Sequence, residues 1–225
     1  MNIVILMPSR GRPEQCREAV GRIFATAENR CGVEVIVGVD EDDPSPYEKL
    51  LPRTFRMKTD CGMQVLQQLQ SIATREGLLS DRSIVGWAAD DIRYETPGWD
   101  GLVIAEARRW PVSLIFGEDT IQHGHIATHP FFTQRFIEAV GGLFQPGYRH
   151  LFADTELTEI ARMAGVLRYL PNLVTRHLHY TQGTAPSDAT YARSERFNDA
   201  DKALFDRRSG ERTRLATLLR SRAGL

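Results

Sequence analysis

The sequence predicts an α/β protein with a mostly parallel central sheet flanked by helices. Residues 3–7 form a continuous apolar run of strand length, which is typical of a strand buried on both faces of a parallel sheet, and residues 33–39 form a second predicted strand. A segment with helical periodicity separates them, so the three pieces form one βαβ unit. Acidic residues follow two of the predicted strands, at the edge where open α/β sheets place their ligands.

The first hundred residues alternate between strand and helix. Pro13 suits the first turn of a helix, because its ring fixes a helical backbone angle and its missing N–H is not needed there. A short strand is predicted at residues 55–57, a helix at 62–75, and another strand within SIVGWAADDIRY, residues 83–94. The predicted inward helix faces consist of Ala19, Val20, Ile23, Phe24 and Ala27, and of Leu66, Leu69, Ile72 and Ala73.

The second half of the chain is less regular. A strand is predicted at residues 112–116, followed by an irregular stretch rich in histidine and a short helix that ends at Gly141. A further helix begins near Asp154 and ends at Gly165, and the last helix lies within residues 198–222. The predicted packing faces of these two helices are Leu157, Ile160, Ala161 and Ala164, and Leu204, Phe205, Leu215, Leu218 and Leu219.

Composition excludes several classes of protein. The 225 residues carry 28 Lys and Arg against 29 Asp and Glu, so there is no overall basic field for nucleic acid and no acidic excess typical of disorder. Cys16, Cys31 and Cys61 form no CxxC pair, which indicates buried thiols in a reducing compartment. The apolar run at the N-terminus is too short for a membrane span. We therefore expect a cytoplasmic protein with no membrane partner.

Asp40, Asp90 and Asp91 are the candidate functional residues of the first half. Each follows a predicted strand, and parallel strands present their carboxyl ends at one edge of the sheet. Converging carboxylates repel one another unless a cation neutralises them, and an all-oxygen site favours Mg²⁺ or Mn²⁺. Such an ion can bind the phosphates of a nucleotide. The alternative is that these residues only form turns, where Asp is common.

The motifs of this half resemble those of GT-A fold glycosyltransferases of the family 2 type. The resemblance rests on PSRGRP after the first strand, the acids after the second, and above all AADDIRYETPGWD. It implies a nucleotide-diphosphate-sugar donor and a DXD-like metal motif at Asp90 and Asp91, although Ala88 stands where the first acid of that motif is expected. The substrate-binding residues that it implies are Pro8, Ser9, Arg10, Arg12, Asp40, Asp90 and Trp99.

The stretch HLFADTELTEIARMAG is similar to the acidic motif in which that family carries its catalytic base. The resemblance makes Asp154 the residue that takes the proton from the acceptor hydroxyl, which implies an inverting reaction. Ala153 replaces the preceding acid of the motif. The alternative is that Asp154 caps its helix, a position that Asp favours. Because a helix N-terminus stabilises negative charge, it would also weaken Asp154 as a base.

Histidines complete the predicted site. The family often uses a late histidine as a metal ligand, and His179 is the preferred candidate, with His177 beside it. On a strand these two side chains would face the same side. The predicted metal ligands are therefore Asp91, Asp90, His179 and His177. The other histidines, at positions 123, 125, 129 and 150, suit either an acceptor pocket or surface loops.

The resulting hypothesis is a glycosyltransferase that depends on Mn²⁺ or Mg²⁺ and uses a soluble acceptor. Residues 1–190 form the predicted catalytic domain, with a nucleotide-sugar half at 1–100 and an acceptor half at 101–190, and residues 191–225 a helical extension. The acceptor classes are a glycan, a protein and a modified nucleobase; the arginines of residues 207–222 alone support nucleic acid. Alternatives are a nucleotidyltransferase, although no Gly-rich phosphate loop with a following Lys is present near the first strand, and a non-catalytic nucleotide- or sugar-binding module.

Overall fold

The strands of one eight-stranded sheet organise the chain, whose computed structural model describes residues 1–51, 53–59 and 61–225. The strands are β1 (Ile3–Ser9), β2 (Val33–Asp40), β3 (Thr54–Met57), β4 (Ile84–Trp87), β5 (Ile92–Tyr94), β6 (Leu114–Glu118), β7 (Phe131–Thr133) and β8 (Leu167–His177). The helices are α1 (Pro13–Thr26), α2 (Gly62–Arg75), α3 (Trp99–Arg109), α4 (Gln134–Val140), α5 (Ala153–Ala164), α6 (Ala189–Glu195), α7 (Asn198–Arg207) and α8 (Ser209–Ala223).

The sheet is parallel in its first half and mixed in its second. Its strand order is β3-β2-β1-β4-β7-β6-β8-β5. Strands β3, β2, β1 and β4 pair in parallel, as do β6 and β8, whereas β7 is antiparallel to both of its neighbours and β5 is antiparallel to β8. The predicted α/β class with a mostly parallel sheet flanked by helices is confirmed.

Both faces of β1 are buried, which explains its unbroken apolar sequence. Ile3, Ile5 and Met7 pack in one core with α1 and α3. Val4 and Leu6 point to the other face, into a core shared with α2, α4, α5 and α8. Because side chains alternate along a strand, a strand covered by helices on both faces needs an apolar residue at every position.

Helix ends agree with the local signals in the sequence. Helix α1 begins at Pro13, and α4 and α5 end at Gly141 and Gly165, whose φ angles of 84° and 76° suit glycine. The single C-terminal helix that we predicted is instead divided at Arg208, where the backbone leaves helical geometry and the side chain turns inward to Glu156.

The structure differs from two further predictions, the burial of all three cysteines and the first residue of β6. Cys31 is exposed, whereas Cys16 and Cys61 are buried as expected, and all three residues are thiols. Strand β6 begins two residues later than predicted, at Leu114. Within the described residues, the structure contains no helix with the length and apolar character that a membrane span requires.

Gly117 generates a first prediction about stability. A Cβ atom at this position in β6 would overlap the backbone carbonyl oxygen of Leu173. Gly117→Ala should therefore lower the free energy of unfolding by about 2 kcal/mol, because β6 and β8 would have to separate. Gly21→Ala, in open space on α1, is the matched control and should raise it by roughly 0.5–1 kcal/mol. Urea unfolding measures both; equal effects would contradict this account of β6 packing.

Candidate functional site

A cavity of about 440 Å³ lies at the carboxyl ends of β1, β2 and β4. Its walls come from both halves of the chain and from α6. The polar side chains around it include Ser9, Arg10, Arg12, Asp40, Asp90, Asp91, His129, His150, Asp154, His177, His179, Tyr191 and Arg193. The volume suits a bound small molecule, and the position is that of ligand sites in open α/β sheets.

Asp90 and Asp91 line this cavity from the turn between β4 and β5. Both are buried, with 4% and 5% of their surfaces exposed. The hydroxyl of Ser9 donates to Asp90 Oδ2 at 2.5 Å, so the first loop and this turn are tied together. The stretch SIVGWAADDIRY thus ends one strand and starts another, and the two acids occupy the turn that faces the cavity.

Arg12 supplies positive charge to the pair. Its guanidinium lies 3.2 Å from Asp90 Oδ1 and 3.7 Å from Asp91 Oδ2, with 8% of the side chain exposed. The same guanidinium binds both oxygens of Asp188, at 2.6 and 2.7 Å, and stacks 4.3 Å from the Tyr191 ring centre. Tyr191 also donates a hydrogen bond from its hydroxyl to Asp91 Oδ2 at 3.1 Å. Helix α6 is therefore attached directly to the acids.

The two carboxylates differ in their electrostatic environment. Burial and the neighbouring Asp91 raise the pKa of Asp90, although Arg12 opposes this. Burial would also raise the pKa of Asp91, but its contacts with His177 outweigh that effect and lower it. Conversely, Asp91 raises the pKa of His177 against the effect of burial. Asp91 is thus the more strongly ionised member of the pair.

Asp91 and His177 fit a divalent cation that is shared with a phosphate ligand. His177 Nε2 lies 3.6 Å from Asp91 Oδ2, and Asp91 Oδ1 is buried with no hydrogen-bond partner among the described residues. In the part of the chain that the structure describes, no three His, Cys, Asp or Glu side chains are arranged to hold a metal. Mg²⁺ is usually bound by one or two carboxylates together with substrate phosphates, and Asp91 can supply one such carboxylate.

The other predicted ligands are placed less favourably. Both oxygens of Asp90 contact other groups, Ser9 and Arg12. His179 lies beyond the end of β8, where its Nδ1 contacts Thr181 Oγ1 at 2.8 Å. Its ring packs edge-on against Tyr191 and lies 5.3 Å from the ring of His177. His177 is therefore the histidine that the fold brings to the acids.

The residues predicted to bind the donor, from the loop after β1 and the end of β2, line the cavity and are held by ion pairs and hydrogen bonds. Arg10 bridges Asp40 and Asp42 at 2.5 and 2.6 Å, and Thr59 donates to the other oxygen of Asp40. Arg193 from α6 lies 3.8 Å from Asp40. Asp40 is held at the end of β2 by these partners. Pro8, Ser9, Arg10, Arg12 and Asp40 are all on the wall of the cavity.

Asp154 also lines the cavity, from the first turn of α5. The helix N-cap is Phe152, so Asp154 is not the capping residue that the alternative interpretation required. One carboxylate oxygen accepts the backbone N–H of Thr155 at 2.7 Å. Burial raises the pKa of Asp154 despite this hydrogen bond and the helix N-terminus.

Trp99 corrects one of the site predictions. Its side chain is fully buried in the core and packs against Tyr94 and Phe131 rather than lining the cavity. The indole N–H donates to the carbonyl oxygen of Ile23 at 3.0 Å, which fixes α3 against α1. The physical reason is the packing of α3, whose first residue, Trp99, is buried in the core that α3 shares with α1.

Several cavity residues were missed by the sequence analysis. Trp87, at the end of β4, was not a candidate. It forms a row of rings with His177 and with His129, one of the histidines for which an acceptor pocket and a surface loop were both left open. Tyr191 and Arg193 come from α6, beyond the predicted end of the catalytic domain at residue 190. The only local signal for α6 was Asp188 as an N-cap, which predicts a helix start but not its partners.

Sequence comparisons do not identify relatives of this chain. No protein-family model matches it. No curated protein matches it significantly either.

Structural comparisons identify the fold. The chain is similar to the mannosyltransferase PcManGT from Pyrobaculum calidifontis, in complex with GDP-Man and Mn²⁺, with a TM-score of 0.62 and 11% identity over 85% of this chain and 59% of that one. S. aureus TarS 1–349 in complex with UDP-GlcNAc gives 0.59 and 8%, over 83% and 62%. Glucosyl-3-phosphoglycerate synthase from Mycobacterium tuberculosis, with Mg²⁺ and UDP, gives 0.57 and 13%, over 100% and 80%.

These matches show that the chain has the GT-A fold, as the sequence motifs implied. At 8–13% identity they establish the architecture of the sheet and its helices. The chain spans about three fifths of the length of the first two of these structures.

Arg12 generates a second prediction. Arg12→Gln should lower the free energy of unfolding by about 3 kcal/mol, because two buried carboxylates and Asp188 would lose their shared cation. Arg17→Gln, which removes an exposed ion pair with Glu14 on the same helix, should change it by less than about 0.5 kcal/mol. Adding Asp90→Asn to Arg12→Gln should restore part of the loss. Urea unfolding that finds the two single variants alike would refute the account.

Proposed function

We propose that this protein is a glycosyltransferase that moves a sugar from a nucleotide-diphosphate sugar to an acceptor hydroxyl, with the help of a divalent cation. The observation that carries the proposal is one cavity at the carboxyl edge of a GT-A sheet. Its walls carry the buried pair Asp90 and Asp91 and, from the separate helix α5, Asp154, a carboxylate of raised pKa. The acid pair would bind the cation that accompanies the donor diphosphate, and Asp154 would accept the proton of the acceptor hydroxyl.

The donor side has the chemistry of a nucleotide-diphosphate site. Arg10, Arg12 and Arg193 bring three guanidinium groups to the wall that also carries Asp40. A guanidinium group can donate two parallel hydrogen bonds to two oxygens of one phosphate. Three such groups therefore favour a diphosphate over a neutral sugar alone. The structures with the same fold hold GDP-Man, UDP-GlcNAc and UDP. This common chemistry supports a nucleotide-diphosphate sugar as the donor here.

Asp91 and His177 are the residues that would hold the cation, which is Mn²⁺ in one structure of this fold and Mg²⁺ in another. When bound, a divalent cation neutralises the negative charge that develops on a departing diphosphate. Arg12 would also help to neutralise this negative charge, because its guanidinium lies beside both acids.

Asp154 acts as the general base of the proposed reaction. It accepts the proton of the acceptor hydroxyl while that oxygen attacks the anomeric carbon and the bond to the diphosphate breaks, through a transition state with oxocarbenium character. Attack opposite the leaving group inverts the anomeric configuration. The raised pKa makes the carboxylate a stronger base than an exposed Asp would be.

The wall of the cavity is partly apolar. Met63, Val65, Leu151 and Phe197 line it together with the polar groups. We propose a soluble acceptor with a face of low polarity, as sugars and nucleobases have. The C-terminal arginines give nucleic acid little support, because Arg208 and Arg212 bind Glu156 and Glu159 within the protein.

The donor can be identified by thermal unfolding in the presence of UDP, GDP, CDP and TDP sugars, each with and without Mn²⁺. One nucleotide sugar should raise the melting temperature in a metal-dependent way, because a ligand at about 100 times its dissociation constant stabilises the native state by roughly 2.7 kcal/mol. Asp91→Asn should remove the dependence on metal. If no nucleotide sugar stabilises the protein, the fold serves another phosphate ligand or no reaction.

Asp154→Asn should lower the turnover number at least about 100-fold and leave the dissociation constant of the donor nearly unchanged, because the base takes part only in the chemical step. Glu159→Gln, on the same helix but paired with Arg212, is the control and should retain activity. Turnover in the wild type should decline as the pH falls through the raised pKa of Asp154, since only the ionised carboxylate accepts a proton. Full activity in the Asp154→Asn variant would rule out this role.

A further inference from the structure

The loop between α4 and α5 sets the position of the candidate base. Its residues His150 and Leu151 line the cavity, and Phe152 leads directly into the helix that carries Asp154. A displacement of its last residues would therefore displace the first turn of α5, which carries the carboxylate. What holds the loop is consequently part of the site.

A single buried carboxylate holds the loop by its backbone. Asp201, in α7, has 1% of its surface exposed. One of its oxygens accepts the N–H of Arg149 at 3.0 Å, and the other accepts the N–H groups of His150 and Leu151 at 2.9 and 2.8 Å. Three successive amides thus share one charged acceptor. Hydrogen bonds to an ionised group are shorter and stronger than those between neutral groups.

Other residues on the same face of α7 contact the same loop. The Arg149 guanidinium stacks 4.5 Å from the ring centre of Phe197, which precedes the helix. Leu204 lies against Gly147, and the rings of Phe205 and Phe152 are 5.6 Å apart. These contacts and those of Asp201 come from positions 197, 201, 204 and 205, which a helix places on one side. One face of α7, together with the residue that precedes the helix, therefore contacts the loop along most of the length of the helix.

Phe152 shows why such support is needed. Its φ of 63° lies in the left-handed region, which a bulky side chain seldom adopts. A residue keeps such a conformation only when its surroundings fix it from several directions. The Phe205 ring fixes the side chain, and the Asp201 carboxylate fixes the three preceding amides.

We propose that Asp201 is a positioning residue, which acts through the loop of residues 147–152 to hold Asp154 at the distance from the donor site that the reaction needs. The inference rests on the proposed role of Asp154 as base. It also means that α7, which lies outside the predicted catalytic domain, is part of the catalytic unit.

The test compares Asp201→Asn with Asp100→Asn. Asp100 is equally buried and also accepts backbone amides, those of Glu28 and Asn29, but it does not line the cavity. Asn has nearly the same shape as Asp but offers one acceptor oxygen and a donor NH₂, so at least one loop amide loses its partner. Both variants should lose similar stability, and only Asp201→Asn should affect the loop and the reaction.

Two measurements separate positioning from stability. Amide hydrogen exchange at residues 149–155 should become at least about tenfold faster in Asp201→Asn, while Asp100→Asn leaves these amides protected. Turnover of the nucleotide sugar that stabilises the protein should fall roughly 10- to 100-fold in Asp201→Asn with donor affinity retained, because a small misplacement of a catalytic group has effects of this size. If Asp201→Asn does not fold, Phe205→Leu should show the same two effects more weakly.

The inference is overturned if the loop amides remain protected in Asp201→Asn, or if they exchange faster while turnover equals that of Asp100→Asn. An inactive wild-type protein would instead count against the proposed reaction. In that case hydrogen exchange at residues 149–155 still decides whether Asp201 holds the first turn of α5 in place, so the two failures are distinguishable.

Discussion

Two adjacent carboxylates, Asp90 and Asp91, are buried at the end of β4, and the rest of the site follows from the need to compensate their charge. Leaving either of them without a partner would cost several kcal/mol, so the fold must bring cations and donors to this turn. Arg12 comes from the loop after β1 and His177 from the end of β8. Tyr191 comes from α6, near the C-terminus. One electrostatic requirement therefore draws three distant segments to one edge of the sheet.

The loops around the cavity are ordered by a second recurring device, a buried aspartate that accepts backbone N–H groups. Asp43 accepts the amides of Gly11 and Ser45, and so joins the loops after β1 and β2. Asp119 accepts three successive amides of the loop that leads toward His129. Loops cannot satisfy their amides by regular pairing, and a carboxylate satisfies several at once. Irregular segments in both halves of the chain are ordered in this way.

The sequence predicted those parts of the fold that local patterns determine. The apolar runs of β1 and β2, the full length of α2 and the acids after β4 follow from periodicity and from the order of residues. Strands β5 and β7 have three residues each, too few to show any periodicity, and their pairing depends on segments far along the chain.

Side-chain orientation was also beyond the reach of local patterns. Trp99 was assigned to the site because of its neighbours in the sequence, but its indole faces the core, and only the packing of α3 decides this. Arg12 and Asp188 are separated by 176 residues, so no local pattern could connect them. The candidate acids directly follow a predicted strand, so the sequence located them. The contacts of α6 with them depend on residues far apart in the chain, so the sequence did not predict these contacts.

Asp91 and Asp154 differ in how their charges are compensated, and this difference is the basis for assigning them different tasks. Asp91 contacts His177, Arg12 and Tyr191, so it remains ionised and suits the binding of a cation. Asp154 lies at a helix N-terminus, which favours its charge, but the pKa is raised because burial outweighs that effect. Groups whose environments move their pKa values apart can serve as charge holder and proton acceptor at the same pH. In the proposed reaction two aspartates therefore have different functions. Asp91, which has more donors and cations around it, binds the cation, and Asp154, which has fewer, accepts the proton.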